Sequence, residues 1–180
     1  MALVKIISGD QNCGKTTTAA VLEEAARRGG AFTAGFFAEA EYDGSGNKYR
    51  YYVKDVRTGD RMLSVCRELP ENESTESYRK YPFSGFYFND LSFDFASGII
   101  DRALESMPDE GLIIIDELGP LELNRLGHFN AVRRLLAGWR GTVCLVIRRS
   151  CVSDMLELLN LKAEDCELLS PEENPSCGGR

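Results

Sequence analysis

The chain has 180 residues, 43% hydrophobic and 27% charged, with 28 acidic against 21 basic side chains and a net charge of −7. This length suits one domain with a full core, and an acidic balance without a long basic run argues against nucleic acid as the main partner. No apolar stretch approaches the ~20 residues that span a bilayer, and Met1 to Ser8 is too short for a secretory leader, so a cytoplasmic chain without a membrane partner is expected.

The six cysteines, Cys13, Cys66, Cys144, Cys151, Cys166 and Cys177, form no C-x-x-C pair, and a lone His128 leaves no zinc-finger spacing. They read as reduced thiols, several of them small core residues.

Leu3 to Ser8 is a short run rich in β-branched residues, as a buried strand requires. Gly9-Asp10-Gln11-Asn12-Cys13-Gly14-Lys15-Thr16-Thr17 follows and fits G-x-x-x-x-G-K-[ST], the phosphate-binding loop. Thr17 to Arg28 then carries Val21, Leu22, Ala25 and Ala26 at helical spacing before Gly29-Gly30 stops the helix. A glycine-rich loop between strand and helix turns its N–H groups inward and adds the partial positive charge of the helix N-terminus. Lys15 can reach β- and γ-phosphates there, and the Thr16 hydroxyl can ligate Mg²⁺.

Thr33 to Ala38 reads as a second strand, and Asp43 to Asn47 as a turn. Tyr49 to Val56 and Arg61 to Cys66 flank Arg57-Thr58-Gly59-Asp60 and predict a β-hairpin, expected as an insertion covering the nucleotide side. Pro70 to Tyr81 is polar and reads as a surface loop. Phe83, Phe86, Tyr87 and Phe88 precede Asn89-Asp90, a helix start, after which Phe93, Ala96, Ile99, Ile100 and Ala103 recur at helical spacing. Such an aromatic cluster is more often core than a stacking surface for a base; the rings that could sandwich one are Phe83, Phe86, Tyr87 and Trp139.

Leu112-Ile113-Ile114-Ile115-Asp116-Glu117 is a continuous apolar run ending in two carboxylates, the pattern of a central parallel strand at the ligand-binding edge of an α/β sheet. Asp116 would hold Mg²⁺ and Glu117 would polarise an attacking water. Gly119-Pro120 forces a turn, and Glu122 is a candidate supporting acid facing the site. Phe129, Val132, Leu135, Leu136 and Trp139 form the stripe of another helix, and Thr142 to Ile147 is a further buried strand. That strand delivers Arg148-Arg149 to its end, where one could neutralise charge on a γ-phosphate. Ser150 is placed to cap a helix containing Met155, Leu156 and Leu159, Cys166 to Leu169 is an edge strand, and residues 171–180 read as a tail after a single domain over 1–170.

Ile115-Asp116-Glu117-Leu118-Gly119-Pro120-Leu121-Glu122-Leu123 resembles the I-D-E-[IL]-G-x-[ML]-E-[LM] run of the thermostable, or cancer-related, nucleoside-triphosphatase family. Gly35-Phe36-Phe37 is similar to that family's second strand, and Phe86-Tyr87-Phe88-Asn89 to the segment before its next helix. The resemblance spans roughly Leu3 to Ile147. It implies a P-loop α/β fold, a mostly parallel sheet flanked by helices, and Mg²⁺-dependent hydrolysis of nucleoside triphosphates (ATP, GTP, CTP, UTP). By matching positions it assigns Gly9, Gly14, Lys15 and Thr16 to the phosphate loop, and Asp116 and Glu117 to metal and water. The family's E-x-R element is absent: the corresponding text is Ala38-Glu39-Ala40-Glu41-Tyr42. Two other classes fit the residues: a phosphotransferase, which needs an acceptor pocket, and a nucleotide-controlled switch or accessory protein whose partner supplies an arginine.

Overall fold

The computed structural model describes residues 2–71, 74–106, 108 and 110–171. Strand β1 (Leu3–Gly9) leads through the loop into α1 (Lys15–Arg28), then β2 (Thr33–Tyr42), β3 (Lys48–Asp55) and β4 (Arg61–Cys66). Two short strands, β5 (Tyr78–Lys80) and β6 (Tyr87–Asn89), precede α2 (Asp90–Ser106) and β7 (Leu112–Leu118). The turn α3 (Pro120–Leu123), α4 (Phe129–Gly138), β8 (Thr142–Arg148), α5 (Val152–Leu158) and β9 (Cys166–Leu169) complete the described chain.

All nine strands join one sheet in the order β5-β6-β4-β3-β2-β7-β8-β1-β9. The half from β2 to β9 is parallel and the half from β2 to β5 is antiparallel, so the expected mostly parallel sheet is met on one side only, the hairpin and the two short strands adding antiparallel partners on the other. Alternation on β7 divides the core. Ile113 and Ile115 face α2, α4 and α5, whereas Ile114 packs with Val146, Cys144 and Ala19 of α1 on the other face. Both faces are thus covered, which is why this strand is apolar throughout. Full burial of each such side chain is worth about 1.5–3 kcal/mol.

Gly35 lets β2 lie against β7. Its φ is +105°, and a Cβ there would fall inside the Ile114 carbonyl and amide. Only glycine meets both demands.

Several expectations change on folding. The predicted hairpin forms, and β3 pairs edge to edge with β2 so that the hairpin extends the sheet. β2 lies between β7 and β3 and pairs with β3 along its other edge from Phe36 to Tyr42. Within the loop expected over Pro70 to Tyr81, Tyr78–Lys80 pairs with β6. Ser150 does not cap α5. It lies in a 3₁₀ turn (Arg149–Cys151), and the residue before the helix is Cys151, without a side-chain cap. The tail expected over 171–180 lies outside the described residues except for Pro171.

Candidate active site

The loop between β1 and α1 is shaped by its own backbone. Asn12 and Gly14 take left-handed φ values of 64° and 89°, and Cys13 N–H donates to the Asp10 carbonyl. This alternation curls the chain around an open centre, as anion-binding nests require. Lys15 closes the curl by donating to the carbonyls of Gly9 at 3.1 Å and Asp10 at 2.6 Å. Its ammonium therefore lies across the loop mouth, held by two weak acceptors that a phosphate can replace.

Gly9, Asp10, Gln11, Asn12, Gly14, Lys15, Thr16 and Thr17 all line a cleft of about 800 Å³. Cys13 is the exception among the loop candidates, its sulfur packed beneath Gly9. Tyr51 and Lys48 of β3 and the overhanging end of β2 form the opposite wall, and Arg148 and Arg149 close one end.

The two carboxylates part company at the end of β7. Ile115 pairs with Leu145 and Leu118 with Ile147, so three steps on β7 match two on β8, a bulge that contains Asp116 and Glu117. Glu117 takes φ +70° and turns outward into the cleft, while Asp116 is fully buried. Burial, reinforced by the neighbouring Glu117 charge, pushes the Asp116 carboxyl up to about 6, against the pull of the Ala38 N–H and the Thr16 hydroxyl. One oxygen accepts from Ala38 N–H at 3.1 Å; Oδ1 has no partner.

An unpartnered anionic oxygen beside a threonine hydroxyl is a donor set for a hard cation such as Mg²⁺. Among the described residues no three His, Cys, Asp or Glu side chains cluster as a metal site.

Arg148 donates to Glu117 at 3.2 Å, and Arg149 to Asp10 at 3.2 Å. Arg148 ends β8 and Arg149 opens the turn after it, and both lie next to the loop because β8 pairs in register with β1, Arg148 opposite Gly9.

A family model described as NTPase matches residues 5–170. The chain belongs to the NTPase family. A solution structure of a human cancer-related nucleoside triphosphatase is similar in fold, with a TM-score of 0.68 and 20% identity over 92% of this chain and 87% of that one. A search of curated proteins finds no match. This NTPase is accordingly an enzyme of nucleoside-triphosphate hydrolysis.

Other candidates fall away from the cleft of this NTPase. Trp139 is buried beneath the sheet, its indole N–H on the Thr142 carbonyl at 3.3 Å, and cannot stack on a base. Glu122 does not face the phosphate loop. It is buried and accepts from the backbone N–H groups of Gly119 and His128, fixing the turn after β7. Burial pushes its carboxyl up to about 7, with those two N–H groups opposing.

Phe83, Phe86 and Phe88 line a second cavity of about 300 Å³, whereas Tyr87 does not. Two residues of these cavities carried no sequence signal. Tyr51 is one aromatic of a strand among several. His128 is buried between Phe36 at 4.6 Å and Phe93 at 5.0 Å, contacts made by elements far apart in sequence.

Proposed function

We propose that this NTPase hydrolyses ATP, GTP, CTP and UTP to the diphosphates and phosphate with Mg²⁺, using Lys15, Thr16, Asp116, Glu117 and Arg148. The observation that carries the reading is the unpartnered Asp116 Oδ1, buried beside the Thr16 hydroxyl and next to Glu117, which lines the same cleft as Lys15 and Thr16. Gly9 to Thr17 would cradle the phosphates with backbone N–H groups, and Lys15 would exchange its two carbonyls for phosphate oxygens. Thr16 and Asp116 would hold the Mg²⁺, which when bound neutralises charge on the β- and γ-phosphates. Glu117 orients a water whose oxygen attacks the γ-phosphorus, and receives its proton as the bond to the bridging oxygen breaks. Arg148, at the same end of the cleft, stabilises the charge on the γ-phosphoryl oxygens.

An arginine supplied in cis supports turnover without a partner protein, in contrast to a switch that waits for one. The same reading has residues 1–170 as a single domain in the cytosol, with nucleotide as ligand and neither nucleic acid nor membrane as partner. No helix among the described residues is long and apolar enough to cross a membrane. The cysteines Cys13, Cys66, Cys144, Cys151 and Cys166 are free thiols, in keeping with a reducing compartment.

Phosphate release from the four triphosphates with Mg²⁺, in wild type, Lys15→Ala and Glu117→Gln, tests the proposal. Steady release abolished by both substitutions is the expected result. Release unaffected by Glu117→Gln would sink it.

A further inference from the structure

The cavity of about 300 Å³ next to the phosphate cleft is lined at one side by Asp116, Glu117 and Arg148 and otherwise by aromatic rings, for which the attack of water has no use. The two spaces share Gln11, Ala38, Tyr51, Glu117 and Arg148, so Glu117 and Arg148 stand at their junction. The loop residues Asn12, Gly14, Lys15 and Thr16 belong to the cleft alone, and Phe36, Phe93, His128, Asp116 and Glu122 to the cavity alone.

This arrangement fixes a direction. The phosphate loop and Thr16, on the cleft side, mark the β- and γ-phosphates, and Asp116 and Glu117, both in the cavity wall, mark the γ-phosphorus end. What lies past Glu117 therefore lies beyond the γ-phosphate, where the group attacking it must come from, and the nucleoside extends the other way.

The walls state the chemistry of an occupant. Phe86, Phe88, Phe93 and Tyr51 present rings, and Phe86 and Tyr51 meet edge to face at 6.1 Å. His128 also lines the space: it is buried, its Nδ1 has no partner, and burial lowers the imidazole to about 4, so the ring is neutral. A buried unpaired nitrogen is costly, and the cost is removed when a ligand supplies the missing hydrogen bond. The volume sits at the lower end of small-molecule sites, room for one ring system with a short arm.

We infer that this cavity binds a small neutral aromatic or heteroaromatic alcohol, no larger than a nucleoside, as a phosphoryl acceptor. The inference rests on the reading of Glu117 and Arg148 as the γ-phosphate end of the cleft. The ring lies among Phe86, Phe88 and Phe93 with a polar ring atom toward His128, and the hydroxyl reaches Glu117. The hydroxyl oxygen bonds to the γ-phosphorus, its proton passes to Glu117, and the bond to the β–γ bridging oxygen breaks with its electron pair on the diphosphate. The products are a phosphomonoester and a nucleoside diphosphate. Water takes the same position when the cavity is empty of acceptor.

The test uses benzyl alcohol, a hydroxymethylpyridine and uridine as probes. Saturation-transfer NMR without nucleotide reads binding, and ³¹P NMR with ATP and Mg²⁺ reads the product. The expected result is saturation of at least one probe that persists with a non-hydrolysable ATP analogue, and a phosphomonoester signal that grows at the expense of free phosphate. His128→Phe should weaken that probe by about tenfold. Phe86→Leu, at a half-buried position that folding tolerates, should weaken it as well.

Absence of binding by every probe overturns the inference, as does binding that yields only free phosphate. Displacement of the probe by the ATP analogue also overturns it, because the cavity would then hold the nucleobase. Failure of the hydrolysis reading is seen separately, in phosphate release without any probe.

Discussion

Arg148 Nη2 donates to Glu117 Oε1 at 3.2 Å, tying the end of β8 to the bulge at the end of β7. Both side chains are partly exposed, so the pair contributes little to stability, at most about 1 kcal/mol. Its consequence is positional: the guanidinium and the carboxylate occupy one end of the cleft together. Arg148→Ala should lower kcat for triphosphate hydrolysis by about a hundredfold, with KM and unfolding temperature little changed. Arg148→Lys should recover only part of the rate, because an ammonium lacks the planar fork. Steady-state phosphate release decides it, and wild-type kcat in Arg148→Ala would remove Arg148 from the mechanism.

Asp116 has an environment that works against its own charge. In the metal-free protein its carboxyl, ordinarily near 3.8, sits up at about 6. Raised in this way, it contributes stability that is complete below 3.8 and lost as pH rises through about 6. Asp116→Asn keeps an oxygen for the Ala38 N–H and buries no charge. Above neutral pH the metal-free variant should be at least as stable as wild type, by about 1–3 kcal/mol, yet lose stabilisation by Mg²⁺ and nucleotide. Thermal unfolding with and without both ligands checks this. A variant that unfolds earlier than wild type without ligand, or still responds to them, contradicts it.

Glu122 and His128 pull the pH dependence in opposite directions. Glu122 is raised from 4.5 to about 7 by burial, with the Glu117 charge adding to it, so its stabilisation is lost as pH rises through that range. His128 is lowered from 6.5 to about 4 by burial, so its stabilisation is present above 6.5 and lost as pH falls through about 4. His128→Phe removes the second effect and fits between Phe36 and Phe93. Relative to wild type, the variant should gain about 1.4 kcal/mol per pH unit as pH falls below about 6.5. Urea denaturation between about pH 7.5 and about pH 5 measures the difference; parallel curves would show that His128 does not titrate on unfolding.

Gly35 is a backbone position, not a ligand. Ala at a φ of +105° is strained, and its Cβ would displace the Ile114 peptide in the centre of the sheet. Gly35→Ala should cost about 3 kcal/mol or more, through strain together with overpacking. Chemical denaturation of the variant, or its failure to accumulate in soluble form, checks the figure. A loss under about 1 kcal/mol would mean that β2 and β7 part easily.

Much of this protein is written locally. The loop from Gly9 to Thr17 needs only its own glycines, lysine and threonines, with a strand before and a helix after. The run from Leu112 to Glu117 announces a central strand because burial on both faces leaves no polar position until its end. Hairpin, helices and edge strand follow from turns and periodicity in the same way.

What pairs with what was decided by tertiary structure. The hairpin extends the sheet because β2 offers β3 the edge opposite β7, a pairing that only the folded sheet brings about. Trp139 and His128 illustrate the same limit: the ring proposed for a nucleobase is sealed in the core, and the histidine without a motif lines a cavity between β2 and α2. Asp116 and Glu117 are adjacent letters with opposite fates, one fully buried and one turned into the cleft, because a bulge against β8 changes the direction of the second. Local sequence specifies backbone conformation and the face a residue prefers; burial, pKa and cavity walls arise from residues distant in the chain, and only their packing creates them.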